Sequence, residues 1–129
     1  MQKLTKLLPQ AELIDALAHK VKSRFASSDG KCEYMAKEMV KELRSRGIRA
    51  DHVMGIFTLD EPGAWRYRSD EDENLDEYQV NHDWVNVEGK ILDISADQFK
   101  KYVYANIPDV VYISYSDPLY RYYEELGHV

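Results

Sequence analysis

A chain of 129 residues, 44% of them hydrophobic, suits a single domain over residues 1–129 that buries its own core without disulfides or metal. Its one cysteine excludes an intrachain disulfide framework, and with no C-x-x-C pair or His/Cys cluster neither a metal site nor a cofactor is expected. A formal net charge of −6 argues against nucleic acid or an anionic membrane as partner, no segment is apolar for long enough to span a bilayer, and the first nine residues do not read as a signal peptide, so a reducing, cytoplasmic setting is expected.

From Gln10 to Ala26, Leu13, Ile14, Leu17, Val21 and Phe25 recur at helical spacing, with Pro9 as a first-turn residue. Ser27-Ser28-Asp29-Gly30 breaks this pattern. Cys32, Met35, Ala36, Met39, Val40 and Leu43 then form one apolar stripe, charged residues fill the remaining faces, and Gly47 stands where a left-handed helix cap is expected. Ile48 to Leu59 reads as a strand leaving that helix, and Gly55 inside it predicts a bulge or the close approach of another backbone. Asp60-Glu61-Pro62-Gly63 reads as a turn, and the acidic run Ser69 to Glu77 as an exposed loop.

Tyr78 to Val87 and Lys90 to Ser95 flank Glu88-Gly89, the pattern of a β-hairpin. Asp97-Gln98-Phe99 opens an irregular or short helical stretch, Val110 to Ile113 reads as a strand, and Asp117-Pro118 as the start of a terminal helix running through Glu125. The whole predicts an α+β fold.

A two-residue turn at Glu88-Gly89 pairs Val87 with Lys90, Asn86 with Ile91, Val85 with Leu92 and Trp84 with Asp93. His82 and Asp93 then lie diagonally on one face, where Cβ atoms about 7 Å apart let an imidazole and a carboxylate hydrogen-bond. A slip of one residue would send them to opposite faces. Val85, Val87, Leu92 and Ile94 occupy the other face, and the helix beginning at Cys32 is expected to cover the face that carries His82 and Asp93. That packing would assemble a thiol, an imidazole and a carboxylate, which are the nucleophile, base and orienting group of covalent acyl-transfer chemistry.

Gly30-Lys31-Cys32-Glu33-Tyr34-Met35-Ala36, Leu43-Arg44-Ser45-Arg46-Gly47-Ile48, Asn81-His82-Asp83-Trp84-Val85-Asn86-Val87 and Gly89-Lys90-Ile91-Leu92-Asp93-Ile94-Ser95 together resemble the transglutaminase-like cysteine enzymes of the papain-like fold group. The resemblance covers roughly Asp29 to Phe99. It implies a nucleophile helix packed on an antiparallel sheet, with Cys32 as nucleophile, His82 as base and Asp93 as orienter. It also implies acyl transfer at an amide of a protein or peptide, by hydrolysis, deamidation or transamidation. The chain departs from the family in lacking the proline common near Gly47-Ile48-Arg49-Ala50, in its acidic insertion, and in showing no evident substrate domain.

Plainer readings stand beside these. A lone cysteine at the head of an apolar stripe is, taken alone, a small buried side chain, and His82 a satisfied structural histidine; it is the ordered set of three that shifts the balance. Trp84 would shield the site or simply fill the core. Gln98 is a candidate oxyanion donor, second to the backbone N–H of Cys32 itself. Asp83 and Asp97 are rival carboxylates, with Asp83 expected to face away from His82, whereas His19, His52 and His128 read as surface or edge residues without visible partners. The alternative to an enzyme is a non-catalytic binding module on the same fold, using the acidic run and the tyrosine-rich region after Tyr102 as its contact surface.

Overall fold

The computed structural model describes residues 10–62 and 76–129. The acidic run 69–77 therefore falls almost wholly outside the described residues, as do Pro9 and the end of the turn expected at 60–63. Two α-helices, α1 (Gln10–Lys22) and α2 (Cys32–Arg44), precede the strands β1 (Ala50–Thr58), β2 (Gln79–Val87) and β3 (Lys90–Asp93). A 3-10 helix (Ala96–Tyr102), β4 (Val111–Ile113), a second 3-10 helix (Pro118–Tyr122) and β5 (Tyr123–His128) follow. The strands form one sheet in the order β4-β3-β2-β1-β5, every neighbouring pair antiparallel. The fold is α+β.

Both helices form where the apolar period predicts them. α1 places Glu12 in its first turn and His19, Lys20 and Lys22 in its last, as the helix dipole favours, and it stops four residues short of Ala26 because Ser23, Arg24 and Phe25 close turns onto His19, Val21 and Lys22. α2 buries Met35, Ala36, Met39, Val40 and Leu43. It ends as its glycine predicts: Gly47 has φ +75°, and the Ile48 N–H reaches back to the Leu43 carbonyl at 3.0 Å.

The hairpin takes the expected register, Val85 with Leu92, Asn86 with Ile91 and Val87 with Lys90. Glu88 and Gly89 both have positive φ, 50° and 84°, which is the two-residue turn whose twist suits a hairpin. Gly55 meets both halves of its expectation. The β1/β5 register shifts between Met54 and Gly55, and a Cβ on Gly55 would collide with the Trp84 ring and the Glu124 carbonyl.

Two elements differ from the sequence reading. After Asp117, whose carboxylate caps the Leu119 N–H at 2.9 Å, the chain makes only a short 3-10 turn. From Tyr123 it then runs as an edge strand on β1 instead of continuing as a helix through Glu125. β1 is paired with β2 on one side, and pairing Val53 to Phe57 with β5 satisfies the backbone groups that β1 turns to the other.

The second difference concerns the cover of the sheet. The stripe of α2 packs with α1 on Ala50, Val85, Val87, Leu92 and Ile94, which is the face opposite His82 and Asp93. The His82 face is covered by Phe99, Val103 and Ile107 together with Tyr122 and Tyr123. Strand alternation decides which residues each layer meets: Val85 and Val87 turn to the side of the helices, whereas Val80, His82 and Trp84 turn to the other, where Phe57, Ile91 and Phe99 complete a second apolar cluster.

Candidate active site

His82 stands on β2 opposite Gly55 of β1, and its ring is enclosed by aromatic side chains. Phe57, Phe99 and Trp84 lie 5.8, 4.9 and 6.0 Å from it, centroid to centroid. Within this enclosure His82 Nε2 and Asp93 Oδ2 are 2.6 Å apart, and both side chains are fully buried. Asp93 accepts three further hydrogen bonds, from the Ser95 N–H at 2.9 Å, the Ser95 hydroxyl at 3.2 Å and the Tyr123 hydroxyl at 2.8 Å. A buried carboxylate is tolerable only when its lone pairs are used in this way.

The electrostatics follow from the geometry. Burial works against a charged imidazole, yet the Asp93 charge and hydrogen bond, helped by the Cys32 side chain, raise the His82 pKa to about 10. Burial likewise opposes the Asp93 carboxylate, and His82, Ser95 and Tyr123 outweigh it, holding that pKa below its ordinary value. Burial, followed by the neighbouring Asp93 charge, pushes the Tyr123 phenol well up, so it remains a donor.

Because Nε2 is committed to Asp93, Nδ1 is the free ring nitrogen, and it is buried without a hydrogen-bond partner. Cys32, half-buried at the first position of α2, is close enough to add to the His82 shift but does not close a hydrogen bond with Nδ1. This approach arises although α2 covers the other face because the β2–β3 ladder stops at Val85 and Leu92. Beyond that point the two strands part and leave a tight crevice, without room for a water molecule, lined by Cys32, Ala36, Asp83, Val85, Ile94 and Ser95, with Trp84 and Asp93 also on its wall.

The loop before Cys32 is fixed from the far side of the site. Gln98 donates from Nε2 to the Ser95 carbonyl at 3.0 Å and accepts from the Gly30 N–H at 3.3 Å, tying the segment after Asp93 to the turn that launches α2. Gly30 has φ +67°, and Lys31 precedes the helix with no side-chain cap. The first N–H groups of a helix have no partners within it, so those at the head of α2 lack intrahelical acceptors. Trp84 is buried, packs on Tyr123 at 5.1 Å and fills the space that Gly55 leaves.

Asp83 faces away from His82, as the alternation predicts. Asp97 forms an ion pair with Lys22 at 3.0 Å, and Lys22 donates to the carbonyls of Ile94 and Asp109. His19 and His128 are exposed, beside Asp15 and Glu125. His52 differs from the sequence reading: it is buried, and its Nε2 lies 2.5 Å from Asp83 Oδ2. It pairs across to Val85, so Asp83 is its diagonal neighbour on β2, a relation set by the β1–β2 register. Sequence reasoning also missed Tyr123. The only signal for it was one aromatic residue at the head of a run too weakly alternating to read as a strand.

Among the described residues no group of three side chains could hold a metal ion, and no helix is long and apolar enough to cross a membrane. Comparison with family models, curated proteins and solved structures found no match.

Proposed function

We propose that this chain is a cysteine enzyme with a papain-like, transglutaminase-like core that transfers an acyl group from an amide of a protein or peptide through a thioester. One observation carries the reading: a buried imidazole fixed through Nε2 by a fully hydrogen-bonded carboxylate, with its unpartnered Nδ1 at a half-buried thiol on a helix start. In this reading the Cys32 sulfur attacks the carbonyl carbon while its proton rests on His82 Nδ1. Asp93 holds the ring and balances the imidazolium, as the orienting acid of a triad does. The negative charge gathering on the substrate oxygen is met by the N–H groups at the head of α2. His82 returns the proton to the departing nitrogen, and water or an amine then attacks the thioester and frees Cys32.

Gln98 fits this scheme as a positioning residue. Its carboxamide is occupied by Ser95 and Gly30, so it holds the Cys32 turn in place, and only its second N–H is left for an oxyanion. Trp84 keeps water from the His82–Asp93 pair.

The test is the rate at which Cys32 reacts with iodoacetamide between pH 6 and 9. An imidazolium beside a thiol favours the reactive anion, so the wild type should label at pH 6.5 at least ten times faster than a free cysteine peptide. His82→Gln should remove that advantage. Equal rates in the two proteins would overturn the reading. A second reading, a binding module that keeps this fold without catalysis, draws on the tightness of the crevice beside Cys32, which has no room for a water molecule, and on the complete burial of His82. It predicts a rapidly labelled thiol with no turnover of any amide.

A further inference from the structure

The crevice behind Cys32 has no room for a water molecule, so a substrate chain that reaches the thiol lies across the head of α2 instead of running between the strands. Open space adjoins that head on the outer side of the helix. Phe25, from the turn after α1, joins Lys31, Tyr34, Lys37 and Glu38 in lining a groove of about 440 Å³. Lys31, Tyr34 and Glu38 share one side of the helix because they recur at i, i+3 and i+7, apart from the stripe that meets the core. Tyr34 is 58% exposed and Phe25 is half-buried, so the groove keeps aromatic surface open to a ligand.

The charges around this surface do not cancel. Glu33 pairs with Lys37 at 3.1 Å, and Glu38 with Arg24 at 3.5 Å. Among the described residues Lys31 has no carboxylate within ion-pairing distance, and its Nζ stands 5.8 Å from the centre of the Tyr34 ring. A ring in that position steadies an ammonium without neutralising it. Asp29, exposed two residues earlier, is engaged through its backbone N–H with the Ser27 hydroxyl. A chain with a net charge of −6 thus carries an unpaired cation over an aromatic surface, one residue from its only cysteine.

We infer that this groove binds an acidic peptide segment of the substrate, an apolar side chain resting on Phe25 and Tyr34 and a neighbouring carboxylate on Lys31. The inference rests on the acyl-transfer reading of Cys32, whose substrate it narrows to acidic sequences. Lys31 and Cys32 are adjacent in the chain, so a segment held by the first is presented to the second. A basic segment would meet Lys31 as a like charge and lose the contact.

The experiment alkylates Cys32, the only thiol, with iodoacetyl-Phe-Glu amide, iodoacetyl-Phe-Gln amide and iodoacetyl-Phe-Lys amide at pH 7.5 and low ionic strength. All three carry the same reactive group, so the ratio of their rates does not depend on how much of the thiol is ionised. The wild type should react about fivefold faster with the Glu than with the Gln peptide, the upper scale of one solvent-exposed ion pair, and slowest with the Lys peptide. Lys31→Gln should bring the Glu-to-Gln ratio close to one, and Tyr34→Ala should slow the Glu and Gln peptides alike. Lys41→Gln, the same change of charge on the exposed side of α2 but far along the helix, should leave the ratio as it is. The proposal is overturned if Lys31→Gln keeps the wild-type ratio, or if Lys41→Gln lowers it as much. It is overturned equally if the protein sediments as a dimer that Lys31→Gln or Tyr34→Ala dissociates, because a second copy would then fill the groove. Loss of the His82 effect on iodoacetamide labelling, with a peptide ratio that still depends on Lys31, would sink the catalytic reading and leave the groove standing.

Discussion

Two histidine–aspartate pairs sit on opposite faces of one sheet, with nearly equal separations of 2.6 Å for His82–Asp93 and 2.5 Å for His52–Asp83. Their surroundings are unlike. The first is wholly buried among aromatic rings and its carboxylate takes four hydrogen bonds; the second is 7% and 17% exposed and borders the crevice. A charge pair in the first setting is locked, because neither partner can turn to water, and the ring has only Nδ1 left to offer. In the second setting the carboxylate keeps part of its surface open. The same two residue types thus form a sealed pair on one face and a partly open pair on the other, and burial makes the difference.

Removing one partner from each pair gives the sharpest contrast. Asp93→Asn strands a buried imidazole and its donors, and should cost about 3–5 kcal/mol of folding free energy in urea titrations. If Asp83→Asn cost as much, burial would not be what separates the pairs. Gly55→Ala follows in size: its methyl group must displace both the Trp84 ring and the Glu124 carbonyl, which should cost about 1–3 kcal/mol and slow His82-dependent labelling of Cys32 by disturbing the wall beside it.

Tyr123→Phe removes one of the four donors to Asp93 and should cost about 1–2 kcal/mol, measured by thermal and urea unfolding. Asp83→Asn should cost about 1 kcal/mol, since its partly open side chain can still be hydrated and the amide can still accept from His52.

The pH dependence of stability separates the pairs without mutation. His82 titrates at a raised value of about 10 when folded, so its contribution is complete below the ordinary histidine pKa and is lost as pH climbs towards that value. Asp93 is lowered, so its contribution is present above the ordinary aspartate pKa and is lost as pH falls through the depressed one. Unfolding free energy should therefore decline steadily between pH 7 and 9.5, and His82→Gln should flatten that slope. An unchanged slope in the variant would mean that His82 is neutral in the folded protein.

Much of this arrangement is legible along the chain. The period of α2 and the glycine at its end can be read directly, because a helix repeats every 3.6 residues and a left-handed cap calls for glycine. The His82–Asp93 relation is readable for a similar reason, since a two-residue turn fixes the register of a hairpin and the register fixes which side chains share a face. His52 is not legible, because its partner depends on how β1 aligns with β2 across a long connection. Nor is β5, where six residues of mixed polarity carry no helix-against-strand preference of their own and take their conformation from the open edge of β1.

By itself, then, the sequence determined the local units: two amphipathic helices, a hairpin with His82 and Asp93 on one face, and a cysteine at a helix start. Only the tertiary structure decided that α2 lies on the opposite face and that Cys32 still meets His82 where β2 and β3 part. It also decided that Tyr123 closes over Asp93 and that His52 pairs with Asp83 at the crevice. Local backbone geometry and periodic burial act over a few residues and leave their mark in the residue order. The choice of sheet face and the pairing of distant strands are settled by which apolar surfaces fit together, and that is a property of the assembled core.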